Sequence, residues 1–402
     1  MASTNLLDLP TAPAPPAETK SNLYDANRQW AWRPDDQRYL DLESLSKAVH
    51  GRKDRSKEYP AYKVSELLPE YHADGPLAGN IFVAKWGTTP IAFSNWSFNQ
   101  YNSLVGGPNI AWLRDMPAPV AARALEASLK FRGRVGADSL AKLYLTPPAQ
   151  GAPTGEMRAI TSPTYGRIYD ASVVDAVRHV NRDGRWTVPL KAYQGQNSKL
   201  ATTLYASDRD IWMFLVDEKN PIDFGGEVFF RGFITWNSEV GSSTFGLKTF
   251  LYRYVCQNRI IWDATQVREL RIRHTSMAPE RFLRDAAPVL AAYSDMGTKD
   301  LTDRIAQGKA VSVAKNIEGA EAWLRERGFG QEQSRSIVNL AQMDGGAEAG
   351  VNGTVKETDP TNLWNLAQGI TAYARGIAFQ DDRVAMETKA GEMLTTFGKG
   401  RR

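Results

Sequence analysis

The segment 227–276 constrains the fold more than any other part of this chain. Two apolar runs flank a short polar stretch, Asn237-Ser238-Glu239-Val240-Gly241-Ser242-Ser243. Before it, residues 227–236 carry Val228, Phe229, Phe230, Phe233, Ile234 and Trp236, β-branched and aromatic side chains that favour a strand. The polar stretch reads as a turn, residues 244–259 as a helix, and residues 267–274 as a second strand. Small hydrogen-bonding residues between two hydrophobic elements mark a place where loops tend to carry function.

Laid out at about 100° per residue, the 244–259 helix would put Leu247, Phe250, Leu251, Tyr254 and Val255 on a sheet-facing side. Lys248, Tyr252 and Arg259 would share one flank, with Arg253 further round, and Asn258 would fall among the apolar positions, where its amide needs partners. Ser242 or Ser243 would cap the first turn. A helix start also offers free N–H groups to a phosphate. The plainer alternative is a polar turn that does no more than cap a core helix.

Composition narrows the classes. With 402 residues the chain can hold more than one module. A net charge of +4 permits nucleic-acid binding without requiring it. The one cysteine, Cys256, excludes an intrachain disulfide framework and reads as a packing residue. No apolar run reaches membrane-spanning length, and residues 1–19 do not resemble a secretory signal, so a cytoplasmic protein with no membrane partner is expected.

Residues 1–20, rich in Ala, Pro and Thr, read as a disordered tail, and 21–75 as an N-terminal extension with a helix at 42–49. Its run Arg52-Lys53-Asp54-Arg55-Ser56-Lys57 reads as a solvated loop, with a nucleic-acid contact as the alternative. Over 76–276 short strands (81–86, 90–93, 140–145, 158–161, 186–188, 202–206, 211–216) outnumber helices (118–131, 171–180). Residues 277–402 carry helical patterns only. The expected fold class is therefore α+β: an antiparallel-rich sheet with packed helices, followed by an all-helical C-terminal region.

No phosphate-loop, dinucleotide, zinc-protease or nucleophile-elbow motif occurs, and the four histidines lack ligand spacing, so no metal and no cofactor are expected. Arginine near aromatic residues is the stronger signal. In 267–274, Leu270 and Ile272 alternate with Arg271 and Arg273, which puts both arginines on the outer face of a strand. Arg158 and Arg167 flank a second polar turn, Ser162-Pro163-Thr164-Tyr165, and make a candidate anion clamp.

Three segments then carry a resemblance. They are Arg158-Ala159-Ile160-Thr161-Ser162-Pro163-Thr164-Tyr165-Gly166-Arg167-Ile168-Tyr169, the run from Ile234 through Trp236-Asn237-Ser238-Glu239-Val240-Gly241 to Asn258, and Asn362-Leu363-Trp364 through Tyr373. Together they resemble the phage- and plasmid-like proteins of the domain-of-unknown-function family 932. Where that family often shows Cys-Thr-Asn-Gly, this chain has Cys256-Gln257-Asn258-Arg259. The resemblance implies action inside a bacterium and no set activity. Successive strands followed by a helix rich in Lys, Arg and Tyr are also similar to the core of single-strand annealing proteins, which form rings and bind DNA in a basic groove.

The leading expectation is a nucleic-acid-binding protein of a phage or plasmid, acting on single-stranded DNA in recombination, annealing or replication, as a homo-oligomer. Lys248, Tyr252, Arg253, Arg259, Arg271 and Arg273 would make the contacts. One alternative is an enzyme using the polar loop Asn237, Ser238, Ser242 and Ser243 with the Arg158 and Arg167 clamp. Another is an interaction protein that counters host defence.

Overall fold

A computed structural model describes residues 37–75, 77–132, 139–188, 203–224, 227–253, 259–260, 270–295, 299–343, 357–374, 376–377 and 380–397. The expected disordered tail, Cys256 and Asn258 lie outside these residues. The fold is α+β, with antiparallel-rich sheets and the C-terminal helices following the strand region.

One sheet, called A here, contains β1 (Arg38–Tyr39), β8 (Leu204–Ala206), β9 (Ile211–Val216), β11 (Glu227–Asn237), β12 (Phe245–Arg253) and β13 (Arg259–Ile260) in that order. In addition β10 (Ile222–Phe224) pairs with β11 and β14 (Leu270–Ile272) with β12. Sheet B runs β2 (Lys57–Lys63), β6 (Leu140–Thr146), β7 (Gly155–Thr161), β5 (Thr89–Phe93), β4 (Ile81–Trp86) and β3 (Glu70–Tyr71). Residues 38–71 thus contribute strands to both sheets. Among the described strand pairs only β5 with β7 is parallel; an isolated bridge, His72↔Ala78, is parallel as well.

The main correction concerns residues 244–259. Its described part is a strand: β12 pairs antiparallel with β11 from Phe229↔Arg253 to Trp236↔Gly246. The sequence Phe245-Gly-Leu-Lys-Thr-Phe-Leu-Tyr-Arg satisfies a helical period through Leu247, Phe250 and Leu251, but also a period of two through Phe245, Leu247, Thr249 and Leu251. Gly246, Thr249 and three aromatic residues are poor helix formers, and β11 supplies a partner along its length. Ser242 and Ser243 therefore cap no helix. The basic run 52–57 is also corrected. Helix α1 (Leu42–Arg55) continues through Arg55, Arg52 Nη1 donates to the Ser207 carbonyl, and Lys53 Nζ lies 4.8 Å from the Tyr169 ring centre.

Sheet A is covered on one face by α1, by α5 (Asp170–Val180) and by α6 (Ala278–Asp295). Val173, Val174, Val177, Phe282 and Tyr293 pack there on Met213, Leu215, Phe233 and Leu247. Toward one end of that face, Phe229 and Leu251 join the core of the C-terminal helices, α7 (Lys299–Ala310), α8 (Ile317–Arg325), α9 (Gln331–Gln342), α10 (Leu363–Ala374) and α11 (Gln380–Phe397). Sheet B has its own core with α2 (Asn95–Val105), α3 (Ile110–Asp115) and α4 (Ala118–Ala127). The first two of these helices were not anticipated. Their local signals are present: Ser94 Oγ accepts from Ser97 N at 3.1 Å, and Gly106 closes α2 at φ +66°.

Candidate functional site

Two polar regions emerge, one buried and one open. The buried one is the polar turn after β11. Asn237, Ser238, Glu239 and Val240 are all buried, and they form the joint between the two sheets. Gln100 of α2 links them directly: its amide oxygen accepts from Ile160 N at 2.9 Å and its amide nitrogen donates to the Val240 carbonyl at 2.8 Å. Trp96 Nε1 donates to the same carbonyl at 3.0 Å, and the Tyr165 hydroxyl donates to the Ser238 carbonyl at 3.0 Å. Gly241 completes the turn at φ +87°, a conformation that favours glycine.

Charged groups converge on this joint. Arg158 of β7 pairs with Glu239 at 2.6 Å, both side chains nearly without solvent exposure. Arg167 pairs with Glu58 at 3.1 Å and also donates to the Glu239 carbonyl. Lys142 reaches Glu58 at 3.1 Å. Glu58 is only partly buried. Burial pushes its pKa up, but Arg167 and Lys142 outweigh that and hold it below the usual carboxylate value. Asp170, at the start of α5, is fully enclosed. Burial, and then the neighbouring Glu239 charge, raise its pKa well above the carboxylate range, against Arg52, Arg158 and the Asn237 amide at 2.7 Å. Burial also lowers the His274 pKa to about 4; its ring stacks on Tyr165 at 5.0 Å and its Nδ1 lies 3.1 Å from the Gly166 carbonyl.

This geometry changes the reading of two predicted groups. Arg158 and Arg167 do not form an anion clamp facing a ligand; they are buried and paired with protein carboxylates. Asn237 and Ser238 are structural as well. Asn237 donates to the Ile168 carbonyl at 2.8 Å, and Ser238 Oγ donates to the Arg209 carbonyl at 2.6 Å and accepts from Ser242 N at 2.9 Å. Buried polar atoms need such partners, so conspicuous polarity here builds a joint.

The open region is a cleft of about 560 Å³ between sheet A and α11. Tyr205↔Trp212↔Trp236↔Gly246↔Arg271 form a row of cross-strand neighbours, of which Trp212, Trp236 and Arg271 line the cleft. Trp212 and Trp236 stack at 5.3 Å with their planes 18° apart. Gly246 makes room for the Trp236 ring, and the Arg271 guanidinium lies 6.0 Å from that ring's centre. Lys248, one pleat further along β12, is buried and donates to Thr388 Oγ1 of α11 at 2.9 Å. Arg209 enters from the β8–β9 turn, and Ser242, Ser243 and Thr244 form the rim beside it. Asp210 and Glu392 also line the walls.

The structure therefore brings together Lys248, Arg271, Ser242 and Ser243 from the predicted set. Arg273 is exposed just beyond β14. Tyr252 lies opposite Arg259 in the strand register, while the side chains of Tyr252, Arg253 and Arg259 lie outside the described residues. Arg209, Trp212 and Trp236 were missed as site residues. For Trp212 and Trp236 the signal was cross-strand alignment, which one sequence does not display, and Arg209 reaches the cleft from a turn. Among the described residues no group of His, Cys, Asp and Glu could hold a metal ion, and no helix is long and apolar enough to cross a membrane. Comparison of the chain with protein-family models, with curated proteins and with solved structures finds no match.

Proposed function

We propose that the protein binds single-stranded nucleic acid at the cleft between sheet A and α11. One observation carries this reading: Arg209, Lys248 and Arg271, from three separate strands or turns, converge on one open cleft floored by the Trp212–Trp236 stack. Guanidinium groups match phosphate oxygens in shape and charge. The hydroxyls of Ser242, Ser243 and Thr244 add neutral hydrogen-bonding capacity at the rim. The resemblance to phage- and plasmid-like proteins would put such binding inside a bacterial host, with recombination, annealing or replication as the candidate processes. The likeness to annealing proteins lends no further support, because the helix it needed at 244–259 is strand β12 over its described part. The enzyme reading has less support, because four of the six groups it relied on, Arg158, Arg167, Asn237 and Ser238, are already bonded within the protein, while Ser242 and Ser243 stand at the rim of the open cleft.

The test is a salt titration of a fluorescently labelled single-stranded oligonucleotide followed by anisotropy. The logarithm of affinity should fall with the logarithm of salt, with a slope near −0.7 for each phosphate neutralised. Replacing exposed Arg271 and Arg273 with alanine should reduce that slope by about 1.4 if each meets one phosphate. Absence of binding at low salt by folded protein would overturn the proposal.

A further inference from the structure

The walls of the cleft are of mixed sign. Asp210 and Glu392 stand with Arg209, Lys248 and Arg271 around the same 560 Å³. A ligand presenting only phosphates would be repelled by the two carboxylates. An ionised carboxylate accepts hydrogen bonds and cannot donate, so its counterpart on the ligand must be a donor. Asp210 Oδ1 already accepts from Ser207 Oγ at 2.8 Å, within its turn. Glu392 projects from an exposed position of α11, across from the strands that bear Lys248 and Arg271. The cleft thus offers cations on its sheet side and an acceptor on its helix side. A phosphorylated ribose has the matching pair, an anionic phosphate and neutral hydroxyl donors on the same unit. The 2′-hydroxyl is also the group that separates RNA from DNA.

Resting on the nucleic-acid reading above, we infer that the cleft takes a phosphorylated ribose, with Arg209 and Arg271 on the phosphate and Glu392 accepting from the 2′-hydroxyl. Lys248 adds positive charge from the floor of the cleft while it remains hydrogen-bonded to Thr388. The chemistry is the same whether the ribose belongs to an RNA strand or to a free ribonucleotide.

Labelled oligouridylate and oligodeoxyuridylate of equal length isolate the 2′-hydroxyl, since the uracil base has no exocyclic amino group and is common to both. The ribose form should bind about tenfold more tightly, the scale of one hydrogen bond to a charged group. Glu392→Ala, on an exposed helix position, should bring the ratio toward one by weakening the ribose form relative to the deoxy form, because the hydrogen bond from the 2′-hydroxyl is lost while the relief of repulsion with phosphate is common to both strands. Competition by uridine 5′-monophosphate at nucleotide-equivalent concentration supports the inference and assigns the ligand to the free ribonucleotide. Preference for the ribose strand without such competition supports it and assigns the ligand to RNA. Equal affinity of the two strands overturns the inference while leaving nucleic-acid binding intact, as does a ratio unchanged in Glu392→Ala. Failure of both strands to bind at low salt overturns the binding reading and the inference together.

Discussion

A Cβ placed on Gly246 would lie 2.0 Å from the Trp236 ring, and one on Gly232 would lie 2.1 Å from the Phe250 ring. Both glycines face their aromatic neighbour directly across β11 and β12. Each ring lies over bare backbone, as close packing of a sheet face with large aromatics requires. Gly246→Ala should cost about 1–3 kcal/mol in denaturant unfolding, the usual scale of overpacking, and should weaken ligand binding because the Trp236 floor must shift. Parent-like stability would show that the rings relax without strain. Asp170 offers a second test at this scale. Its folded-state pKa is raised, chiefly by burial and next by Glu239. Its stabilising contribution is therefore complete below its unfolded value of about 3.9 and is lost as pH rises toward the raised value. Asp170→Asn keeps the shape and removes the ionisation, so its stability relative to the parent should improve as pH rises. Urea unfolding at several pH values checks this, and a constant difference would place the titration elsewhere.

Among the elements, β12 shows how little a short sequence window decides. Phe250 and Leu251 were expected to be buried, and they are, but as a strand: they point to opposite faces, Phe250 toward the aromatic cluster and Leu251 into the core of the C-terminal helices. Leu251→Ala should cost roughly 2–5 kcal/mol by thermal or denaturant unfolding, the range for a buried leucine. The polar turn between β11 and β12 makes a stronger claim. Glu239 ties Arg158 of sheet B to the end of β11 and accepts from the Asp170 amide at 3.1 Å. Glu239→Gln should cost about 3–5 kcal/mol, because it leaves a buried guanidinium without its counter-charge. A loss below 1 kcal/mol would mean that water or a neighbouring carboxyl takes over the partner's role.

For the whole molecule, that turn joins two sheets with separate cores, so its damage should be felt on both sides. In Glu239→Gln, hydrogen exchange should accelerate in β7 and in residues 237–243 together, with α8 and α9 protected as before. Exchange confined to sheet A would show that the sheets hold together through other contacts. The sequence alone determined the α+β class, the helical C-terminal region and most element positions, because long apolar periods and start signals are local properties. It also brought Lys248, Arg271, Ser242 and Ser243 forward as binding candidates, though for Lys248 and the two serines through a helix at 244–259 that is strand β12 over its described part. Tertiary structure decided the rest. Residues 245–253 fit two periods, and only pairing with β11 chose the strand. Arg158 and Arg167 look like anion ligands until Glu239 and Glu58, distant in sequence, neutralise them. Trp212 and Trp236 are aligned with Arg271 through strand register, and the β8–β9 turn brings Arg209 to the same cleft, long-range relations that no local pattern encodes.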